Sequence, residues 1–157
     1  MENNELDIYR KNLLDQIESM AARFHDACLK VKDVDAPLEA DGWNAHQVAA
    51  HTRDVQLAAY GMRVRRTIEE NDPLFQNFDG DAYNKEHYRA DEPMQHIVDE
   101  FLNDVRALLA QLRALPNTAW SRSSHHVTYG ERSLQTWTEL LLAHIKEHLE
   151  SVEKAGK

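Results

Sequence analysis

Two histidines one helical turn apart, His144 and His148, stand in the apolar run Trp137-Thr-Glu-Leu-Leu-Leu-Ala-His-Ile-Lys-Glu-His-Leu near the end of the chain. An α-helix turns once in about 3.6 residues, so positions i and i+4 lie only about 40° apart around its axis. Trp137, Leu141 and Val152 fall in the same sector, so both imidazoles point where this helix points its hydrophobic residues. A buried imidazole without a partner forfeits hydrogen bonding worth on the order of 1–3 kcal/mol. A divalent metal satisfies both rings at once, because His-x-x-x-His aims two nitrogens at one point. A third ligand is available in Trp43-Asn-Ala-His46-Gln-Val-Ala-Ala-His51-Thr-Arg-Asp-Val55, where His51 shares a core stripe with Val48, Val55, Ala58, Ala59 and Met62. His46 lies about 140° away from His51 and cannot share its ligand point. Neutral imidazole nitrogens suit zinc, nickel, iron or copper, and three ligands with an open fourth position is the pattern of catalytic sites.

Other metal chemistries fail on spacing. A di-iron bundle needs Glu-x-x-His, and no histidine here follows a glutamate by three. His144-Ile-Lys-Glu147-His148 matches the inverted zinc-protease pattern, but that motif needs an acidic ligand well downstream and only nine residues follow. Glu147 sits off the buried sector and reads as a flank residue, with a general-base role as the lesser alternative. Asp79, Asp81, Tyr83, His125, His126 and Tyr129 could shape substrate binding but read as ordinary loop residues. Cys28 is the only cysteine, so no intramolecular disulfide can form. Its place on an apolar helix face makes it a small core residue, and a thiol nucleophile would have to come from a cofactor.

Four elements must position these histidines. Leu6, Leu13, Leu14, Ile17, Met20, Phe24, Cys28 and Val31 make one stripe of a helix over residues 6–31. Residues 33–42, with Pro37, break it. Asn44 and Gln47 form a capping box that opens a second helix running to residue 70. The third begins at residues 91–93 and ends before Pro116, with Ile97, Val98, Phe101, Leu102, Val105, Leu108, Leu109 and Leu112 on its core face. Ser133 caps the fourth, which carries His144 and His148 to about residue 154. Two long connections remain. Residues 71–90 hold too many aromatics for a disordered linker and read as an ordered segment folded over something. Residues 117–132 are expected to hold a short hairpin. The expectation is an all-α, single-domain four-helix bundle over residues 1–157.

Composition narrows the partners. A formal charge of −9, from 27 acidic and 18 basic residues, opposes nucleic-acid and anionic-membrane surfaces. The short basic cluster Arg63-Val-Arg65-Arg66 reads as a solvated helix face. No run approaches the about 20 apolar residues of a membrane span, and the first residues lack a leader pattern, so a soluble cytoplasmic protein is expected.

Trp43, His51 eight residues later, the Phe78-Asp-Gly-Asp81 region, the Tyr129-Gly130 to Ser133 entry and the terminal His144-x-x-x-His148 together resemble the DinB/YfiT-like superfamily. The resemblance implies an up-down-down-up bundle, a divalent-metal site at His51, His144 and His148, and frequent homodimers. It also implies relatedness to metal-dependent transferases and isomerases that use low-molecular-weight thiols such as bacillithiol or mycothiol. Two functions stay open: activation of such a thiol, or of water, against a small-molecule substrate, and non-catalytic metal or ligand binding. A polar histidine core without metal is a weaker third. A second apolar line on helix two, Ala50, Leu57, Val64 and Ile68 with Gly61, is the expected dimer surface.

Overall fold

Leucine, isoleucine and phenylalanine at helical spacing make the first element, α1 (Asn4–Lys30), and bury Leu13, Leu14, Ile17, Ala21, Phe24 and Cys28 along one face. It is one of four long helical segments in the computed structural model, which describes residues 4–38 and 42–155. Residues 1–3, where no leader was expected, and residues 39–41 of the break lie outside the described residues. The second segment is continuous but not uniform. It consists of α2 (Ala45–Val55), a π-helical stretch (Gln56–Tyr60) and α3 (Gly61–Glu69). The connection that follows is more structured than the sequence suggested, with a strand β1 (Leu74–Phe75) and a short helix α4 (Gly80–His87). The third long helix, α5 (Met94–Arg113), leads through a 3₁₀ turn (Asn117–Ser121) to strands β2 (Ser123–His126) and β3 (Gly130–Ser133), and α6 (Leu134–Ala155) closes the bundle.

Helix order around the bundle is not chain order. α1 packs along α5 and α6, the α2–α3 segment packs on the same two helices, and α1 meets α2 only slightly. Side-chain pairs give the directions. Arg10 meets Gln135 at 3.0 Å and Arg23 meets Glu153 at 2.7 Å, so α1 and α6 run parallel. Arg113 meets Asp15 at 2.9 Å and His25 meets Asp99 at 2.7 Å, so α1 and α5 run antiparallel. Gln56 meets Asp104 at 3.0 Å and Gln111 meets Glu69 at 3.3 Å, so α2–α3 and α5 run parallel. Two consecutive parallel helices force the chain to travel back along the whole bundle between them. That return path is the long connection after α3, and it carries α4 up the face of α2.

The core is layered around aromatic rings. Phe24 meets Phe101 edge-on at 5.3 Å, and Phe75 meets Trp137 at 5.8 Å with planes 85° apart. Trp137 is fully buried and its Nε1–H donates to Ser124 Oγ at 2.7 Å, while Ser124 donates to the Arg132 carbonyl at 2.7 Å. β2 and β3 form the expected hairpin, turned by Gly130 at φ 77°, and β1 adds to β2 in parallel. The hairpin is thereby fastened to the foot of α6.

The outer line of the second helix is covered within the bundle. Ala50 and Val64 are buried, and a Cβ at Gly61 would clash with Gln56 O and come 3.3 Å from Asp104 Oδ2. Only Leu57 of that line is exposed, so α5 occupies the surface on which association was expected. Among the described residues no helix is long and apolar enough to cross a membrane.

Cys28 is 1 % exposed, and burial pushes its thiol up to about 12. The native protein should therefore resist alkylation by iodoacetamide at pH 8 and label fully only after denaturation. Rapid labelling of the folded chain would contradict this burial.

Candidate metal centre

Local rules set the three histidines in place. Asn44 Oδ1 accepts from the Gln47 backbone at 2.7 Å and Gln47 Oε1 accepts from the Asn44 backbone at 3.0 Å, a reciprocal cap that fixes where α2 starts. His51 follows two turns later. At the other helix, Ser133 Oγ accepts from Thr136 N at 3.2 Å and starts α6, three turns before His144. Bundle packing then brings the rings together. One nitrogen from each of His51, His144 and His148 lies within 4.8 Å of the others, and His144 Nε2 and His148 Nε2 are 3.1 Å apart. His51 is buried, and the other two are half-buried. Trp43 packs on His51 with ring centres 4.9 Å apart, and Tyr60 on His144 at 5.2 Å.

The donor set fits a divalent ion. Burial first, then the neighbouring His148 and His51, pushes His144 down to about 3. Burial and His51 push His148 to about 4. His51 is lowered too, by burial, against the opposing pull of Asp81 and the Gly80 backbone. All three rings are thus neutral at pH 7. His51 Nδ1 is buried on the side of the ring that faces Gly80. Ligand nitrogens in a tetrahedral site with bonds of about 2.0–2.1 Å stand roughly 3.4 Å apart, so the His144–His148 pair already has ligand spacing.

The returning connection lies directly on His51. Asp79 caps α4 by accepting from Ala82 N at 3.0 Å, which places Gly80 at the helix start. A Cβ on Gly80 would come 2.7 Å from His51 Cε1, 3.2 Å from Nδ1 and 3.1 Å from Val55 Cγ2. Only glycine permits this approach. On one side of the centre an open groove of about 750 Å³ is bounded by Trp43, Asp81, Tyr88, Glu147, His148 and Ser151. On the other a cavity of about 200 Å³ is lined by His51, Tyr60, Arg63, Phe78, His126 and His144, among others.

Other candidate residues divide cleanly. His46 stays apart from the cluster: its Nε2–H donates to the Glu92 carbonyl and its Nδ1 accepts from Tyr88 Oη, both at 2.6 Å. Tyr83 stacks on His87 at 4.0 Å, and exposed-side His125 pairs with Asp72 at 2.7 Å. Glu147 is exposed on the groove rim. His126, read as a loop residue, is buried and faces the small cavity together with Tyr129.

Two residues of the cavity escaped the sequence reading. On a straight helix Tyr60 lies about 180° from His51, nine steps of roughly 100°. The π-helical stretch holds an extra residue per turn and rotates everything after it, which swings Tyr60 toward His144. Arg63, expected on a solvated face, is instead 5 % exposed, with its guanidinium over the rings of Trp137 at 5.0 Å and Tyr60 at 6.0 Å. The available signal was Gly61, whose N–H bonds back to Gln56 O across the wide turn and whose missing side chain makes room for it.

A protein-family model described as the DinB superfamily matches residues 13–152, and the chain belongs to that superfamily. Among solved structures, YfiT from Bacillus subtilis superposes with a TM-score of 0.81 over 93 % of this chain and 85 % of that one, at 21 % sequence identity. YfiT is described as a probable metal-dependent hydrolase with an unusual four-helix bundle topology. At this identity the likeness shows the shared four-helix-bundle fold. No curated protein matches the chain.

Two outcomes follow from this geometry. Gly80→Ala should displace the His51 ring and weaken zinc binding by about 10- to 100-fold, the usual effect of disturbing a ligand's support, without unfolding the bundle. Calorimetric titration with zinc tests it, and unchanged affinity would contradict the contact. The second concerns pH. Folded-state values below the ordinary 6.5 mean that the unfolded chain binds more protons between that value and the folded values near 4 and 3. Stability of the metal-free protein should be flat above pH 7 and fall progressively as pH drops through that window. A melting temperature constant from pH 7 to 4.5 would contradict the burial of these rings.

Proposed function

We propose that the protein holds one divalent ion through His51, His144 and His148 and uses it to activate a low-molecular-weight thiol, of the bacillithiol or mycothiol type, against a small electrophilic substrate. The observation that carries this reading is the pair of cavities meeting at the histidines, about 750 and about 200 Å³. Two separate spaces suit two organic reactants, one large and one small. A divalent ion supplies Lewis acidity there, lowering the pKa of a thiol or water toward neutrality and polarising a leaving group. The chain's own groups do the rest. Among the described residues no fourth histidine, cysteine or carboxylate joins the three, which leaves a position for a reactant. Cys28 is buried, so the thiol is exogenous. Glu147, on the groove rim, is our choice to take up the thiol proton. Tyr60, raised by burial above the ordinary phenol value, stays protonated and can donate a hydrogen bond into the small cavity. Phe78 and the chain around Gly80 shield that cavity from water. Sulfur then bonds to the electrophilic carbon as the leaving group departs with its electron pair.

Hydrolysis is the second reading, favoured by the description of YfiT as a probable metal-dependent hydrolase. Water would then replace the thiol at the same centre.

Metal analysis and turnover test the proposal together. Purified protein should carry about one zinc, nickel or iron per chain, and His51→Ala, His144→Ala or His148→Ala should each abolish stoichiometric metal at neutral pH. Conjugation of an electrophilic model substrate with bacillithiol or mycothiol should slow at least about 100-fold in His148→Ala. Equal rates in native and variant protein would rule out metal-dependent thiol transfer. Ester hydrolysis lost in the same variant would establish the second reading instead.

A further inference from the structure

The open groove beside the histidine centre contains a polar side chain that the proposed reaction does not use. Asn84 of α4 is 2 % exposed and lines that groove. Its Nδ2 donates to the Gln47 carbonyl at 3.4 Å. The reverse orientation of the amide would set two oxygens against each other, so Oδ1 is the free end. Among the described residues no donor reaches Oδ1, and it is not one of the unpartnered side-chain atoms that are sealed from solvent. It is a bare acceptor open to the groove, on a side chain otherwise interred.

The charge of the groove points the same way. Its charged lining groups are Asp81, Lys85 and Glu147, two carboxylates against one ammonium, so one negative charge is in surplus. No ion pair among the described residues involves any of the three. Asp81 and Asn84 are three residues apart on α4 and share a face of it. Asp81 directly follows Gly80, whose backbone packs on His51, so this pair of acceptors stands beside the histidine centre. Trp43 adds an aromatic wall, which suits a cation better than an anion. A bound anion would face an unmet acceptor and a surplus negative charge together. A neutral hydroxyl would satisfy Asn84 and leave Asp81 uncompensated. A metal ion is not what the pair is built for, since the one group with metal-ligand spacing among the described residues is the three histidines. Only a cation that donates hydrogen bonds meets both demands.

We infer that the groove binds the protonated primary amine of its ligand, with Asn84 Oδ1 and the Asp81 carboxylate accepting from it. Glu147 stays free for the thiol proton. The groove adjoins His148, so the amine belongs to the thiol of the proposed reaction, which carries a free amino group and not an acylated one. Only this last assignment rests on that proposal.

The test uses metal-free protein, so that no ion is present for an amine or thiol to chelate. Cysteamine, N-acetylcysteamine and 2-mercaptoethanol are titrated at pH 7 and constant ionic strength under reducing conditions. Melting temperature and the side-chain amide resonances of Asn84 are read. Cysteamine should raise the melting temperature and shift the Asn84 amide signals, and the two uncharged thiols should do neither. Asn84→Leu should weaken cysteamine roughly tenfold, the usual worth of one hydrogen bond to a charged group. Asp81→Asn, an exposed substitution that leaves the fold intact, should weaken it about threefold and carries the test should Asn84→Leu not fold. Asn84→Asp keeps an acceptor in place and adds charge, so it should bind cysteamine at least as tightly as the native protein. Equal responses to cysteamine and N-acetylcysteamine, or native affinity in both Asn84→Leu and Asp81→Asn, would overturn the inference. Cysteamine binding in a protein without thiol transfer would leave the amine site standing and remove only its assignment to the thiol.

Discussion

Everything distinctive in this bundle follows from holding three imidazoles, neutral and largely dry, at one point. Each ring carries a donor and an acceptor, and leaving either unmet in a low-dielectric interior is unfavourable by on the order of 1–3 kcal/mol. Apolar packing elsewhere must offset that. Phe24, Phe101, Trp137, Ile17 and Ile97 are essentially fully buried, and such a side chain contributes about 1.5–3 kcal/mol on leaving water. The histidines therefore sit beside a well-filled core, where two cavities replace some of the packing. Gly80 and Trp43 both pack on His51, one by having no side chain and the other by having a large one.

A second constraint operates within the long helix that carries His51. Its first half must present His51 to α6 while packing on α5, and its second must send Arg63 and Val64 inward. A uniform 3.6-residue period cannot do both. The π-helical stretch re-phases the helix between them, and Gln56 anchors it by donating to Asp104 of α5. Thr52 and Thr67 donate to the carbonyls of Val48 and Arg63 four residues back, at 2.7 and 2.6 Å, which satisfies their hydroxyls inside the buried face. Tyr60, at the end of the stretch, becomes a wall of the site as a direct result.

How much of this was legible depended on whether the signal was periodic. The helices over α1, α5 and α6 could be read from their apolar spacing, and the caps at Asn44 and Ser133 from residue type, because both are local effects. The three histidines could be grouped because two share a turn of one helix and the third lies on a core stripe. His46 could be set aside by the same angle. What could not be read was non-local. The π turn depends on Gln56 meeting Asp104 of a helix far along the chain, so Arg63 was read as part of a solvated face and Tyr60 was not singled out. The burial of His126 depends on β1 pairing with β2, a two-residue strand too short to carry a pattern. Gly80 looked like a loop glycine because only the packed structure places a ring against it.

The titration behaviour of the histidines also maps the field across the site. At His51 the neighbouring charges of Asp81, Asp54 and Glu147 all favour the protonated ring, even though burial overrides them. Whatever favours a proton on that nitrogen favours any cation there. At His126 the neighbouring charges are Arg63 and Arg132, and both disfavour protonation. The potential thus changes sign within the site, negative on the groove side and positive in the small cavity. The reversal requires that Arg63 be drawn inside and its acidic neighbours kept out. That placement follows from the same re-phased helix that turns Tyr60 to His144, so the geometry of one turn sets both the shape of the small cavity and its charge.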